Sequence, residues 1–117
     1  MKLKEIKNIL KLETIVAAGD NIEIKSGCGS DLMSDVLAFC QEKTLLLTGL
    51  TNPQVVRTAE MIGIKVIIFV RGKKPQPETI TLAQEKEVAL YYSHKSLFES
   101  CGLLYKKGLK PEKMRKI

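Results

Sequence analysis

The chain has 117 residues, 44% apolar and 27% charged, which leaves room for one domain with one core and excludes a disordered chain. Its longest apolar runs, such as Val66-Ile67-Ile68-Phe69-Val70, are strand-length and far short of the ~20 residues of a membrane-spanning helix. The formal net charge is +6, but Lys106, Lys107, Lys110, Lys113, Arg115 and Lys116 stand against Glu112 alone at the C-terminal end, so the excess is a basic tail; this argues against a nucleic-acid-binding face.

Three widely spaced cysteines (Cys28, Cys40 and Cys101) and one histidine (His94) fit neither a disulfide framework nor a zinc site, and reduced, buried thiols are expected. Met1 to Lys7 alternates charged and apolar residues and has no signal-peptide stretch, so a cytoplasmic location without a membrane partner is expected.

In chain order, Leu3, Ile6, Ile9 and Leu10 share one face of a short helix over 3–10. Two extended stretches follow, 13–17 and 22–25, separated by the turn-forming Gly19-Asp20-Asn21. Ser26-Gly27-Cys28-Gly29-Ser30 has the composition of a loop. Beyond it Leu32, Val36 and Cys40 form one helical row and Met33 and Leu37 another. From residue 44 the order strand, loop, helix repeats three times. The strands are 44–48, 65–70 and 88–92; the helices open at Pro53 with Asn52 as cap, near Pro77, and at Ser96, where Glu99 three residues on suggests a capping box. Apolar strands alternating with amphipathic helices imply an α/β fold, a three-layer sandwich with a largely parallel sheet, mixed at the N-terminal edge. The domain is expected over 1–109, with a flexible basic tail over 110–117.

In such sheets ligands collect at the carboxyl ends of the strands. That edge gathers Thr48, Gly49, Thr51 and Asn52, then Arg71, Gly72 and Lys73, then Ser93 and His94. Hydroxyls, glycines and cations leading into helix N-termini suit a small anion; the same residues would also serve simply to end strands and cap helices. Gly27, Gly29 and Ser30 form a second candidate, a backbone nest.

Sharper motifs are missing: there is no Gly-x-x-x-x-Gly-Lys-Ser/Thr and no Gly-x-Gly-x-x-Gly. Asp31 and Asp35 read as complements to a helix dipole rather than metal ligands. Arg57 and Glu60 read as a solvated helix face. Cys28 and His94 would make a nucleophile–base pair only if the fold joined them. Tyr91, Tyr92, Phe98 and Tyr105, clustered late, either line the core or expose an aromatic face for self-association. No metal, cofactor or catalytic residue is assigned.

Four segments carry a resemblance: G-C-G-S-D-L-M-S-D-V-L-A at 27–38, L-L-L-T-G-L-T-N-P-Q-V-V-R-T-A at 45–59, F-V-R-G-K-K-P at 69–75 and F-E-S-C-G-L-L-Y at 98–105. Over residues 1–109 the chain resembles the DRTGG-domain family in its short, stand-alone form. That domain also occurs in regulatory regions of some pyrophosphatases and phosphotransacetylases and is related to the N-terminal domain of HPr kinase/phosphorylase. The resemblance implies a three-layer α/β fold used for homodimerisation and regulation, without catalytic residues. Members of the short type look like accessory proteins encoded beside iron hydrogenases, so a partner enzyme subunit is implied. They are sometimes labelled serine kinases, but the kinase's phosphate-loop domain is missing here. The elements behind the family name are altered, to Gly49-Leu50-Thr51 and Arg71-Gly72-Lys73.

The expectation is therefore a non-catalytic, self-associating regulatory or adaptor module that takes a small nucleotide-like anion. An interaction module with no small ligand, or a small phosphoryl- or acyl-transfer enzyme built on Thr48, Thr51, Lys73 and His94, are the alternatives.

Overall fold

The computed structural model describes residues 1–113. Helix α1 (Leu3–Leu10) buries Leu3, Ile6 and Leu10 completely, and the Glu5 carboxylate accepts from the Lys2 backbone N–H at 3.3 Å to close its first turn. Strand β1 (Glu13–Val16) follows. Residues 22–25, expected to be extended, join no strand of the sheet. They run beside the N-terminus, where Lys2 bridges Glu23 and the Ile24 N–H donates to the Met1 carbonyl at 2.7 Å.

Ser26–Gly29, with the composition of a loop, is strand β2. It pairs in parallel with β3 (Thr44–Thr48) on one side and with β6 (Lys110–Pro111) on the other. Local propensity points to a turn, but pairing on both sides and the burial of Cys28 override it. The Ser26 and Thr44 hydroxyls add a 2.8 Å hydrogen bond across the ladder.

The other elements are α2 (Met33–Phe39), α3 (Pro53–Met61), β4 (Val66–Phe69), α4 (Pro77–Lys86), β5 (Ala89–Tyr92) and α5 (Leu97–Lys106). The sheet order is β1-β5-β4-β3-β2-β6; β1 is antiparallel to β5 and every other pair is parallel. The mixed N-terminal edge is thus the expected one. The tail expected from residue 110 begins with β6, and its residues 114–117, including Arg115 and Lys116, lie outside the described residues.

Side-chain alternation along the central strands builds two cores, one on each face. Leu45, Leu47, Val66, Ile68, Ala89 and Tyr91 pack with α1 and α5. Leu46, Ile67, Phe69 and Leu90 pack with Val36 of α2, Val55, Val56 and Ala59 of α3, and Ala83 of α4. The fold is a three-layer α/β sandwich. Helix α2 buries less than its periodicity implies: Val36 and the following Cys40 are buried, but Leu32 and Leu37 are 57% and 41% exposed.

The late aromatic residues divide between the two expectations. Tyr91 is fully buried and its hydroxyl accepts from the Ala18 N–H at 3.1 Å, whereas Phe98 and Tyr105 lie in the open on α5.

Two buried side-chain oxygens, one on Asn52 and one on Thr58, are unpaired among the described residues. The Thr58 hydroxyl, within the α3 core, has no hydrogen-bond partner among the described residues. Leaving such a group unsatisfied costs about 1–3 kcal/mol, so Thr58→Val is expected to raise stability by about 1 kcal/mol, measured by urea unfolding.

Candidate functional site

Helices α2, α3 and α4 cover one face and α5 the other, so the loops leaving the adjacent strands β4 and β5 turn to opposite faces. This is the switch point where open α/β sheets form their crevice. It brings together two groups of candidate residues, Arg71-Gly72-Lys73 and Ser93-His94.

Here the crevice is bridged by backbone. The Arg71 N–H donates to the Lys95 carbonyl at 2.8 Å, the Gly72 N–H to the Ser93 carbonyl at 2.7 Å, and the Lys73 N–H to the Val70 carbonyl at 3.2 Å. The three amides are engaged, so the loop offers an anion its side chains. Arg71 and Gly72 are consecutive left-handed residues, with φ of 61° and 65°. Glycine takes this conformation freely, and a Cβ at Gly72 would also sit 3.1 Å from the His94 ring. For Arg71 the same conformation costs about 1–2 kcal/mol. Arg71 and Lys73 are exposed and form no ion pair among the described residues.

Ser93 is fully buried; its hydroxyl shares a 3.0 Å hydrogen bond with Ser100 of α5 and accepts from the Lys95 N–H at 3.1 Å. It ties β5 to α5. His94 is exposed, and its Nε2 lies 2.7 Å from a Glu13 carboxylate oxygen on the edge strand. The Tyr92 hydroxyl, with help from the His94 ring, holds the Glu13 carboxyl below the usual carboxylate range, and Glu13 in turn pushes the Tyr92 phenol up. The Lys74 ammonium lies 5.8 Å from the centre of the Tyr92 ring.

The third candidate loop is occupied from within. A single oxygen of Asp31 accepts from the Thr48 hydroxyl at 2.8 Å and from the Gly49 N–H at 2.7 Å. The Thr48 hydroxyl accepts in turn from the Leu50 N–H at 3.2 Å. Asp31, read from the sequence as a dipole complement, instead holds a carboxylate where an external anion would meet these donors. The Thr51 carbonyl accepts from the Gln76 N–H and the Thr79 hydroxyl, fastening this loop to the start of α4. Asn52 stands at the N-cap position of α3, but its side chain makes no capping bond and its Oδ1 is buried without a partner among the described residues.

At the second candidate, Gly27 and Gly29 lie in the β2 ladder, and the Ser30 N–H donates to the Leu47 carbonyl at 3.0 Å. Strand pairing, not a free nest, defines this backbone. Cys28 is buried beside Cys40, which together with burial pushes its thiol well up, and β3 and β4 stand between β2 and the strand preceding His94. A Cys28–His94 pair does not form. Arg57 and Glu60 are exposed as expected, and Glu60 approaches the Lys86 ammonium at 3.9 Å.

Sequence reasoning missed a feature beside Arg71. A mostly apolar cleft of about 740 Å³ opens between α5 and the β2–β6 edge, with Arg71 and Ser96 at its margin. Its one legible signal was the spacing of Phe98, Gly102 and Tyr105 along one helical face.

No protein-family model and no curated protein matches the sequence. Among solved structures, the CBS and DRTGG domains of the regulatory region of Clostridium perfringens pyrophosphatase, complexed with the activator diadenosine tetraphosphate, match 87% of this chain with a TM-score of 0.67 and 15% identity. The match takes in 45% of that chain, so the present chain spans less than half its length. What the two share is the fold, and with it the arrangement of strand ends on which the candidate residues are placed.

Proposed function

We propose that the chain is a non-catalytic regulatory module that self-associates and binds a small, nucleotide-like anion at the carboxyl edge of its sheet. The observation that carries this reading is Arg71. It is an exposed cation at the switch point, without an ion-pair partner among the described residues, held in a left-handed conformation that a glycine would adopt at no cost, and bordering an apolar cleft. The likeness in fold to a regulatory region solved with diadenosine tetraphosphate supports it. Lys73, in the same loop, adds positive potential. The internal bonds of Thr48, Gly49, Ser93 and His94 make these residues the scaffold of the edge, leaving Arg71 and Lys73 as the groups that meet the ligand.

The partner is an enzyme whose activity the bound state adjusts; the family resemblance points to a hydrogenase or another metabolic enzyme. The exposed Phe98 and Tyr105 offer the apolar surface for association with a second copy or that partner.

The test is a titration with AMP, ATP and diadenosine tetraphosphate, read by calorimetry and thermal unfolding. A ligand at a hundred times its Kd adds about 2.7 kcal/mol of stability, a rise in Tm on the order of 10 °C. Arg71→Gly is expected to abolish that rise while leaving the unliganded protein within about 1 kcal/mol of wild type, because relief of backbone strain offsets the added freedom of the unfolded chain. Unchanged binding in Arg71→Gly and in Lys73→Ala, or no binding by the wild type, would remove the basis for the ligand site.

A further inference from the structure

The face of β2 that looks toward α5 carries no side chains. Cys28 points into the opposite core, and the residues facing α5 are Gly27 and Gly29. A Cβ at Gly27 would touch Leu109 at 3.0 Å, and one at Gly29 would strike the Cys101 sulfur at 2.6 Å. Gly27 and Gly29, with Leu109, Leu97 and Cys101 packed over them, line the 740 Å³ cleft.

One wall is the shoulder of α5, where Phe98, Cys101, Gly102 and Tyr105 follow each other at helical spacing. The other is the C-terminal segment Leu109–Pro111, held to the sheet by the pairing of β6 with β2. Charge sits at the two ends, with Arg71 beside Ser96 at the start of α5 and Lys110 at the far side. Phe98 and Tyr105 are 90% and 70% exposed, a costly placement for two rings that none of the described residues covers.

The volume lies within the roughly 300–1,000 Å³ of small-molecule sites, and an apolar lining with few polar groups is their usual character. Flanking aromatic residues favour a π-system, and a guanidinium at the rim suits a carboxylate or phosphate.

We propose that this cleft binds a planar aromatic anion, its ring between α5 and Leu109–Pro111 and its acidic group at Arg71. The proposal rests on the anion-binding reading of Arg71 and adds the site of the ring. The C-terminal strand thereby becomes a wall of the ligand site. The shared chemistry, an aromatic ring bearing an acidic group, has two sources: a nucleotide or a simpler aryl phosphate or carboxylate.

Calorimetry on the full chain separates these elements, with 1-naphthyl phosphate, AMP and the uncharged 1-naphthol as probes. Gly102→Phe fills the cleft from a position where a Cβ meets nothing within 4 Å. Phe98→Ala, which removes an exposed ring, stands in if Gly102→Phe folds poorly. We expect one naphthyl phosphate per chain, with affinity lowered more than about tenfold by Gly102→Phe and by Arg71→Gly. Naphthol binding should fall in Gly102→Phe and persist in Arg71→Gly. If AMP follows naphthyl phosphate across the variants, the source is a nucleotide; if naphthyl phosphate alone binds, it is a simpler aryl anion.

Diadenosine tetraphosphate binding that needs Arg71 but is indifferent to both Gly102→Phe and Phe98→Ala would overturn the cleft while leaving the anion edge standing. Failure of both naphthyl phosphate and AMP to bind the wild type would also overturn it. So would a wild-type dimer that Gly102→Phe turns into a monomer without either probe binding, because the cleft would then be filled by a second copy.

Discussion

Gly29→Val is expected to lower stability by about 2–3 kcal/mol, at the upper end of the cost of overpacking a core. A Cβ at Gly29 would lie 2.6 Å from the Cys101 sulfur and 3.3 Å from a Leu97 methyl carbon. Valine adds two further carbons, so α5 must lift from β2. Two favourable terms oppose this: valine suits a strand better than glycine, and replacing glycine restricts the unfolded chain, worth about 0.4–1 kcal/mol. The clash exceeds both. The double variant with Cys101→Ala clears the sulfur and should recover a large part of the loss, while Cys101→Ala alone leaves a small void and costs less. A coupling energy near zero in this double-mutant cycle, read by urea unfolding, would mean that α5 does not rest on Gly29.

Asp31→Ala is the second large effect, a loss of about 2–3 kcal/mol. Two charge-assisted hydrogen bonds disappear, and the Thr48 hydroxyl, fully buried with Asp31 in place, loses its acceptor. The removal also vacates the place of an internal anion. Inorganic phosphate should therefore raise the Tm of Asp31→Ala more than that of the wild type. Equal responses would show that the Thr48–Gly49 donors do not form an anion cradle once the carboxylate is gone. Asp31→Asn, which keeps an acceptor but not the charge, should fall between the two in stability.

Much of the fold was legible because the central strands are buried on both faces and read as unbroken apolar runs, as in Leu45-Leu46-Leu47 and Val66 to Val70. Pro53 and Ser96 marked helix starts for local reasons; Ser96 accepts from the Glu99 N–H at 3.2 Å. The failure at β2 has the opposite cause. Ser-Gly-Cys-Gly carries turn composition because α5 needs bare backbone beneath it, a demand set by residues some seventy positions away in the sequence. Residues 22–25 alternate like a strand, but their partner is the N-terminal segment, which periodicity does not encode.

The candidate site divides along the same line. Arg71, Gly72 and Lys73 stand out as a cationic glycine loop after an apolar strand, and the structure puts them at the switch point. The partners that engage the other residues were out of local reach: Asp31 for Thr48, Ser100 for Ser93, and Glu13 for His94 across 81 positions. A hydroxyl or imidazole at a strand end looks the same in sequence whether it awaits a ligand or holds two elements together. Only the fold distinguishes them, and here it assigns most of them to holding.

Native mass spectrometry of the full chain with added diadenosine tetraphosphate tests self-association and anion binding at Arg71 in one spectrum. The expected species are a dimer carrying ligand in fixed ratio to chains, and a bare dimer for Arg71→Gly under the same conditions. A monomer without ligand, from wild type and variant alike, would contradict both claims.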